Sequence, residues 1–119
     1  MLKRMNPSGT PWGGYVAEAN GVHVGECAFK SAPINGQVEV AYHTFEEFER
    51  QGFGTEMARE LVAIARRSDP SLVVIAQTLR ETNASTKILA KLGFTCHGTV
   101  YHPEDGEVWE WHLPPDAPP

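Results

Sequence analysis

The stretch Gln51-Gly52-Phe53-Gly54-Thr55 is the part of this chain best suited to hold an anion. Glycines let a ligand come close to the backbone, and a helix opening there offers N–H groups without intrahelical acceptors, backed by the helix dipole. The same residues also serve simply to turn the chain. Glu39 and His43 stand four apart in an alternating stretch, so both fall on one strand face. A carboxylate placed over a cleft can take a proton through water, and an imidazole titrates nearer neutrality. The competing picture is a solvated Glu39 on an outer strand face and a surface His43 at a strand end. Ser85 brings a hydroxyl to the start of a second helical stretch, where first-turn capping is the alternative use. Glu46, Glu47 and Glu49 form an acidic run that attracts a cation or merely solvates a turn. Trp109 and Trp111 share a strand face and suit a pocket wall or, more usually, the core.

These residues need positioning elements, and the local signals supply them. Residues 14–19 and 22–30 alternate small or apolar with polar side chains, and Asn20-Gly21 between them marks a tight hairpin. Pro33-Ile34-Asn35-Gly36 connects a second hairpin to a strand over 37–44, where Val38, Val40 and Tyr42 alternate with Glu39, Ala41 and His43. After the glycine pair the period changes: Met57, Ala58, Leu61, Val62, Ile64 and Ala65 recur at helical spacing and predict an amphipathic helix ending near Ser68-Asp69-Pro70. Residues 72–76 form a short β-branched apolar run, expected as a buried strand. Thr82 or Asn83 caps a second helix over 84–92, which Gly93 ends. Strands over 94–101 and 107–113 follow, joined by Pro103-Glu104-Asp105-Gly106. The expected fold is α/β: a mixed, mostly antiparallel sheet with a central βαβ crossover and helices on its faces.

The 119 residues fit one domain, with loose ends at 1–12 and 114–119. A net charge of -5 argues against a nucleic-acid binder, while leaving room for a phosphate-bearing ligand held by backbone N–H groups. The longest apolar run, residues 72–76, is too short to cross a bilayer, and the N-terminus lacks the apolar stretch of a secretory signal, so a cytoplasmic protein is expected. Cys27 and Cys96 are expected as two small buried thiols without disulfide, metal or other chemistry.

Taken jointly, Glu49-Arg50-Gln51-Gly52-Phe53-Gly54-Thr55-Glu56, the amphipathic helix, the buried strand, Asn83-Ala84-Ser85 and Ile88-Leu89-Ala90-Lys91-Leu92-Gly93-Phe94 resemble the GNAT superfamily of N-acetyltransferases. Val38-Glu39-Val40-Ala41-Tyr42 and Gly106-Glu107-Val108-Trp109-Glu110-Trp111 suit its ribosomal-protein-alanine acetyltransferase branch, and the resemblance runs from about Gly13 to Leu113. It implies acetyl-CoA wedged between two parting parallel strands, residues 37–44 and 72–78. Tyr42 and Thr44 would line the pantetheine arm. Arg50, Gln51, Gly52, Phe53, Gly54 and Thr55 would hold the pyrophosphate, and Thr82 and Asn83 would supply a further contact to CoA. No metal is implied.

The resemblance further implies acetyl transfer to a primary amine, such as a peptide N-terminus, an amino acid or a polyamine, by direct attack in a ternary complex. Glu39 is then the base, His43 the second candidate, and Ser85 a hydroxyl near the thioester sulfur. The chain departs from the family at Glu49, usually Gln or Arg, which moves a phosphate contact to Arg50 or removes it. It departs again at Leu89, where many members carry a tyrosine acid. The family's first strand and two helices have no counterpart before Gly13, which leaves the acceptor side to a second subunit or a large substrate. A catalytically silent acyl-CoA-binding module is the alternative function, and a purely structural interaction domain a third.

Overall fold

The computed structural model describes residues 1–5 and 9–115. The loop expected at 6–8 and the tail expected at 116–119 lie outside the described residues. Seven strands form one sheet in the order β1-β2-β3-β4-β5-β7-β6. They are β1 (Leu2–Arg4), β2 (Gly14–Ala19), β3 (Val22–Phe29), β4 (Gln37–Thr44), β5 (Val73–Thr78), β6 (Thr95–His102) and β7 (Gly106–Leu113). Helix α1 (Phe53–Ser68) joins β4 to β5, and α2 (Ala84–Lys91) joins β5 to β6. The mixed sheet and its single parallel pair, β4 with β5, match the expectation. Strand β1 is a correction to it: Leu2–Arg4 pairs antiparallel with β2, where only a loose end was expected. Three residues are too few to show a period, so that strand exists through its neighbour alone.

The β2–β3 hairpin turns on Asn20 and Gly21, both at positive φ (52° and 77°), the conformation that tight hairpins require. Asn35 and Gly36 repeat it before β4. Helix α1 lays Met57, Ala58, Leu61 and Ala65 against β3 and β4, and each is fully buried. Burying Met57 and Leu61 contributes about 1.5–3 kcal/mol each. Gly25 makes the close fit possible, since a Cβ there would stand 2.4 Å from the His43 carbonyl oxygen and 3.0 Å from Met57 Cε.

The feature that shapes the site is a parting of β4 and β5. Their ladder consists of Gln37–Val73, Val38–Val74 and Glu39–Ile75 and then stops, although β4 runs on to Thr44 and β5 to Thr78. Beyond that point β4 stays with β3, through Gly25–Thr44, while β5 stays with β7, through Thr78–Trp109. Trp111 reinforces the second allegiance by donating from Nε1 to Thr78 Oγ1 at 3.0 Å. Trp111 is buried and Trp109 packs against the core, which settles the tryptophan pair as packing residues.

Candidate active site

A single 3₁₀ turn, Glu46–Phe48, leads the chain from β4 into Arg50, at φ 65°, and Gly52, at φ 86°. This left-handed backbone is ordinary for glycine and uncommon for arginine. Gly52 is the N-cap of α1, and no side chain caps that helix start. The first N–H groups are therefore left for another acceptor. Open space lies where a Gly52 Cβ would be. At Gly54 a Cβ would come within 3.0 Å of Ile88 Cδ1 and 3.5 Å of Thr44 Oγ1, so α1, α2 and β4 meet closely here.

Helix α2 treats its own start differently. Asn83 accepts from the Thr86 N–H at 3.0 Å while Thr86 Oγ1 accepts from the Asn83 N–H at 2.8 Å, a reciprocal capping box. Asn83 is thus the cap, one of the two residues expected for it, and its amide oxygen is engaged within its own helix, while Ser85 lines the cleft instead of capping.

Tyr42, His43 and Thr44 of β4, the turn from Phe48 to Thr55, and Ala84, Ser85 and Ile88 of α2 enclose an open cleft of about 610 Å³. Of the residues expected from sequence, Tyr42, His43, Thr44, Arg50, Gly52, Phe53, Gly54, Thr55 and Ser85 converge on it. Gln51, Thr82 and Asn83 do not line it. A second cavity of about 110 Å³ lies between the parted strands, bounded by Tyr42, Ala76, Thr78, Ser85 and Leu89, with Glu39 and Lys30 also in its lining. The two cavities share Tyr42 and Ser85.

Glu39 is half-buried and its Oε2 lies 3.4 Å from Lys30 Nζ. Lys30 went unrecognised in the sequence, yet the hairpin register contained it: Phe29 faces Val40, which brings Lys30 beside Glu39, where its N–H donates to the Glu39 carbonyl at 2.9 Å. His43 shares the Glu39 face, is exposed, and sits edge-on to Phe45 with ring centroids 5.8 Å apart. Phe48 and Ile88 are also missed cleft residues, with no local signal beyond being apolar.

Among the described residues, the Tyr42 hydroxyl is the one buried side-chain polar atom without a hydrogen-bond partner. Burial pushes the phenol up to about 12, and the nearby Ser85 hydroxyl offsets only part of that rise. An unpartnered buried hydroxyl costs about 1–3 kcal/mol, which a polar group of a bound ligand would relieve. Burial likewise raises the Cys27 thiol to about 12, with the Glu60 charge adding to it. Cys96, expected buried, is exposed on β6.

Residues 2–95 match the Acetyltransferase (GNAT) domain. The chain belongs to the GNAT acetyltransferase family. No curated protein matches it. Among solved structures, it is similar to YncA of Salmonella typhimurium, determined with its cofactor acetyl-CoA, at 23% identity and TM-score 0.74, over 89% of this chain and 66% of that one. It is similar to a ribosomal-protein-alanine N-acetyltransferase from Brucella melitensis, at 23% identity and TM-score 0.72, over 85% and 67%. A Salmonella typhimurium acetyltransferase that modifies the N-terminal serine of a 50S ribosomal subunit protein matches at 21% identity and TM-score 0.71, over 85% and 62%. The chain thus spans about two thirds of the length of these structures.

Within the GNAT chain, acetyl-CoA fits the residues present on three observations. The uncapped start of α1 suits a pyrophosphate. The parted β4 and β5 leave strand backbone on offer to the pantetheine amides. Tyr42, whose hydroxyl is buried without a partner, lines both cavities. No helix among the described residues is long and apolar enough to cross a membrane, and no group of three or more metal-ligating side chains occurs among them.

Proposed function

We propose that this chain transfers an acetyl group from acetyl-CoA to a primary amine by direct attack in a ternary complex. The observation that carries the reading is a pair of cavities that share Tyr42 and Ser85, one at the uncapped start of α1 and the other between the parted strands beside Glu39. Backbone N–H groups of the turn ending at Thr55 hold the pyrophosphate, with Arg50 beside them in place of the side chain that Glu49 does not supply. Thr44 and Tyr42 border the pantetheine arm. Acetyl-CoA, when bound, supplies the activated acyl carbon. Glu39 takes the amine proton through water, and His43, further along the same strand face, is the second base within the fold.

The acceptor is a peptide N-terminus, an amino acid or a polyamine. Glu46, Glu47 and Glu49 beside the cleft favour a cationic amine, and similarity to structures of ribosomal-protein N-terminal acetyltransferases supports a peptide. A cytoplasmic setting suits a chain whose two cysteines are both free.

The silent-module reading has its own observation, since Leu89 occupies the helix position of the usual acid and is fully buried. Calorimetric titration with acetyl-CoA, followed by thiol release with candidate amines, tests both. Binding with thiol release is the expected outcome. Binding without release from any amine leaves the silent module, and no binding at millimolar acetyl-CoA overturns both readings.

A further inference from the structure

Resting on that reading, we infer that the Tyr42 hydroxyl, supplied by β4, is the acid that protonates the departing CoA sulfur. The usual position for an acid on α2 is closed in this chain, because Leu89 is fully buried and forms part of the wall between the parted strands. Tyr42 of β4 lines the same cavity, and its buried hydroxyl meets no hydrogen-bond partner among the described residues. The ladder of β4 with β5 has already ended at Glu39–Ile75, three residues earlier on β4. Among the described residues, Ser85 is the only other hydroxyl-bearing residue that lines both cavities. Tyr42 and Ser85 thus stand between the cleft at the pyrophosphate end and the cavity beside Glu39, which is where the thioester would lie.

The chemistry balances without an added reagent. The amine nitrogen bonds to the acyl carbon as the carbon–sulfur bond breaks, and the sulfur takes the Tyr42 proton to leave as the CoA thiol. Glu39 or water takes the surplus proton from the amide nitrogen. Solvent returns a proton to the Tyr42 oxygen by way of the Ser85 hydroxyl. The phenol, held in its protonated form by burial, stays a donor throughout the physiological range.

Tyr42→Phe removes only the hydroxyl, so the melting temperature should hold or rise. Two readouts are required of the purified variant. In calorimetry, the wild type should bind CoA about 5-fold more tightly than desulfo-CoA, and Tyr42→Phe should lose that preference while keeping its affinity for desulfo-CoA. In thiol-release kinetics, kcat should fall about 10²-fold with the KM for acetyl-CoA little changed. An unchanged kcat, or equal CoA and desulfo-CoA affinities in the wild type, overturns the role of Tyr42 and leaves the proposed function standing. A wild type that binds acetyl-CoA but releases thiol with no amine overturns the proposed function and the acid together.

Discussion

Gly52 combines a left-handed backbone with empty space where its Cβ would stand, and that space opens on the uncapped start of α1. A side chain there is strained by φ and, if acidic, repels a pyrophosphate at the point where the dipole should attract it. Gly52→Glu should therefore abolish acetyl-CoA binding as read by calorimetry, while far-UV circular dichroism stays native; retained affinity would remove the pyrophosphate from this turn. The glycine pair was legible in the sequence because turn chemistry is local. Lys30 was not, since its contact with Glu39 depends on the register of two strands. Ser85 was legible as a hydroxyl but not as a cleft residue, because the competition for the cap is decided by Thr86, one position further on.

At the level of elements, the two helices start in opposite ways. Helix α2 satisfies its own N-terminus through Asn83 and Thr86, whereas α1 begins at Gly52 with no side-chain cap. Asn83→Ala should lower unfolding stability by about 1 kcal/mol, measured by denaturant titration, and change acetyl-CoA affinity by less than about two-fold. A large loss of affinity with unchanged stability would instead make the Asn83 side chain a contact to CoA, the role the family resemblance implies. Elements with a strong period, such as α1 with Met57, Leu61 and Ala65 on one face, were visible from the sequence. Strand β1 was not, because its three residues acquire strand geometry only by pairing with β2.

For the whole molecule, the decisive feature is that β4 follows β3 while β5 follows β7, so a gap opens inside one sheet. Ala76 lines that gap and is nearly fully buried. Ala76→Val should fill part of the 110 Å³ cavity with little change in stability, since a β-branched residue suits a strand. Acetyl-CoA affinity should fall about ten-fold or more while that for adenosine 3′,5′-bisphosphate is unchanged, because only the pantetheine arm enters the gap. Equal losses for both ligands in calorimetry would argue against a ligand path through the sheet.

The sequence by itself determined what short-range chemistry controls: the hairpin at Asn20-Gly21, the amphipathic helix, the glycine turn that opens it and the family to which these belong. Turn conformations and helical periods are properties of neighbouring residues, and a single chain displays them directly. Only the tertiary structure decided that β7 lies between β5 and β6, that β4 and β5 separate after Glu39–Ile75, and that the Tyr42 hydroxyl is buried without a partner. Each of those depends on which distant segments share an edge, so no local pattern carries it.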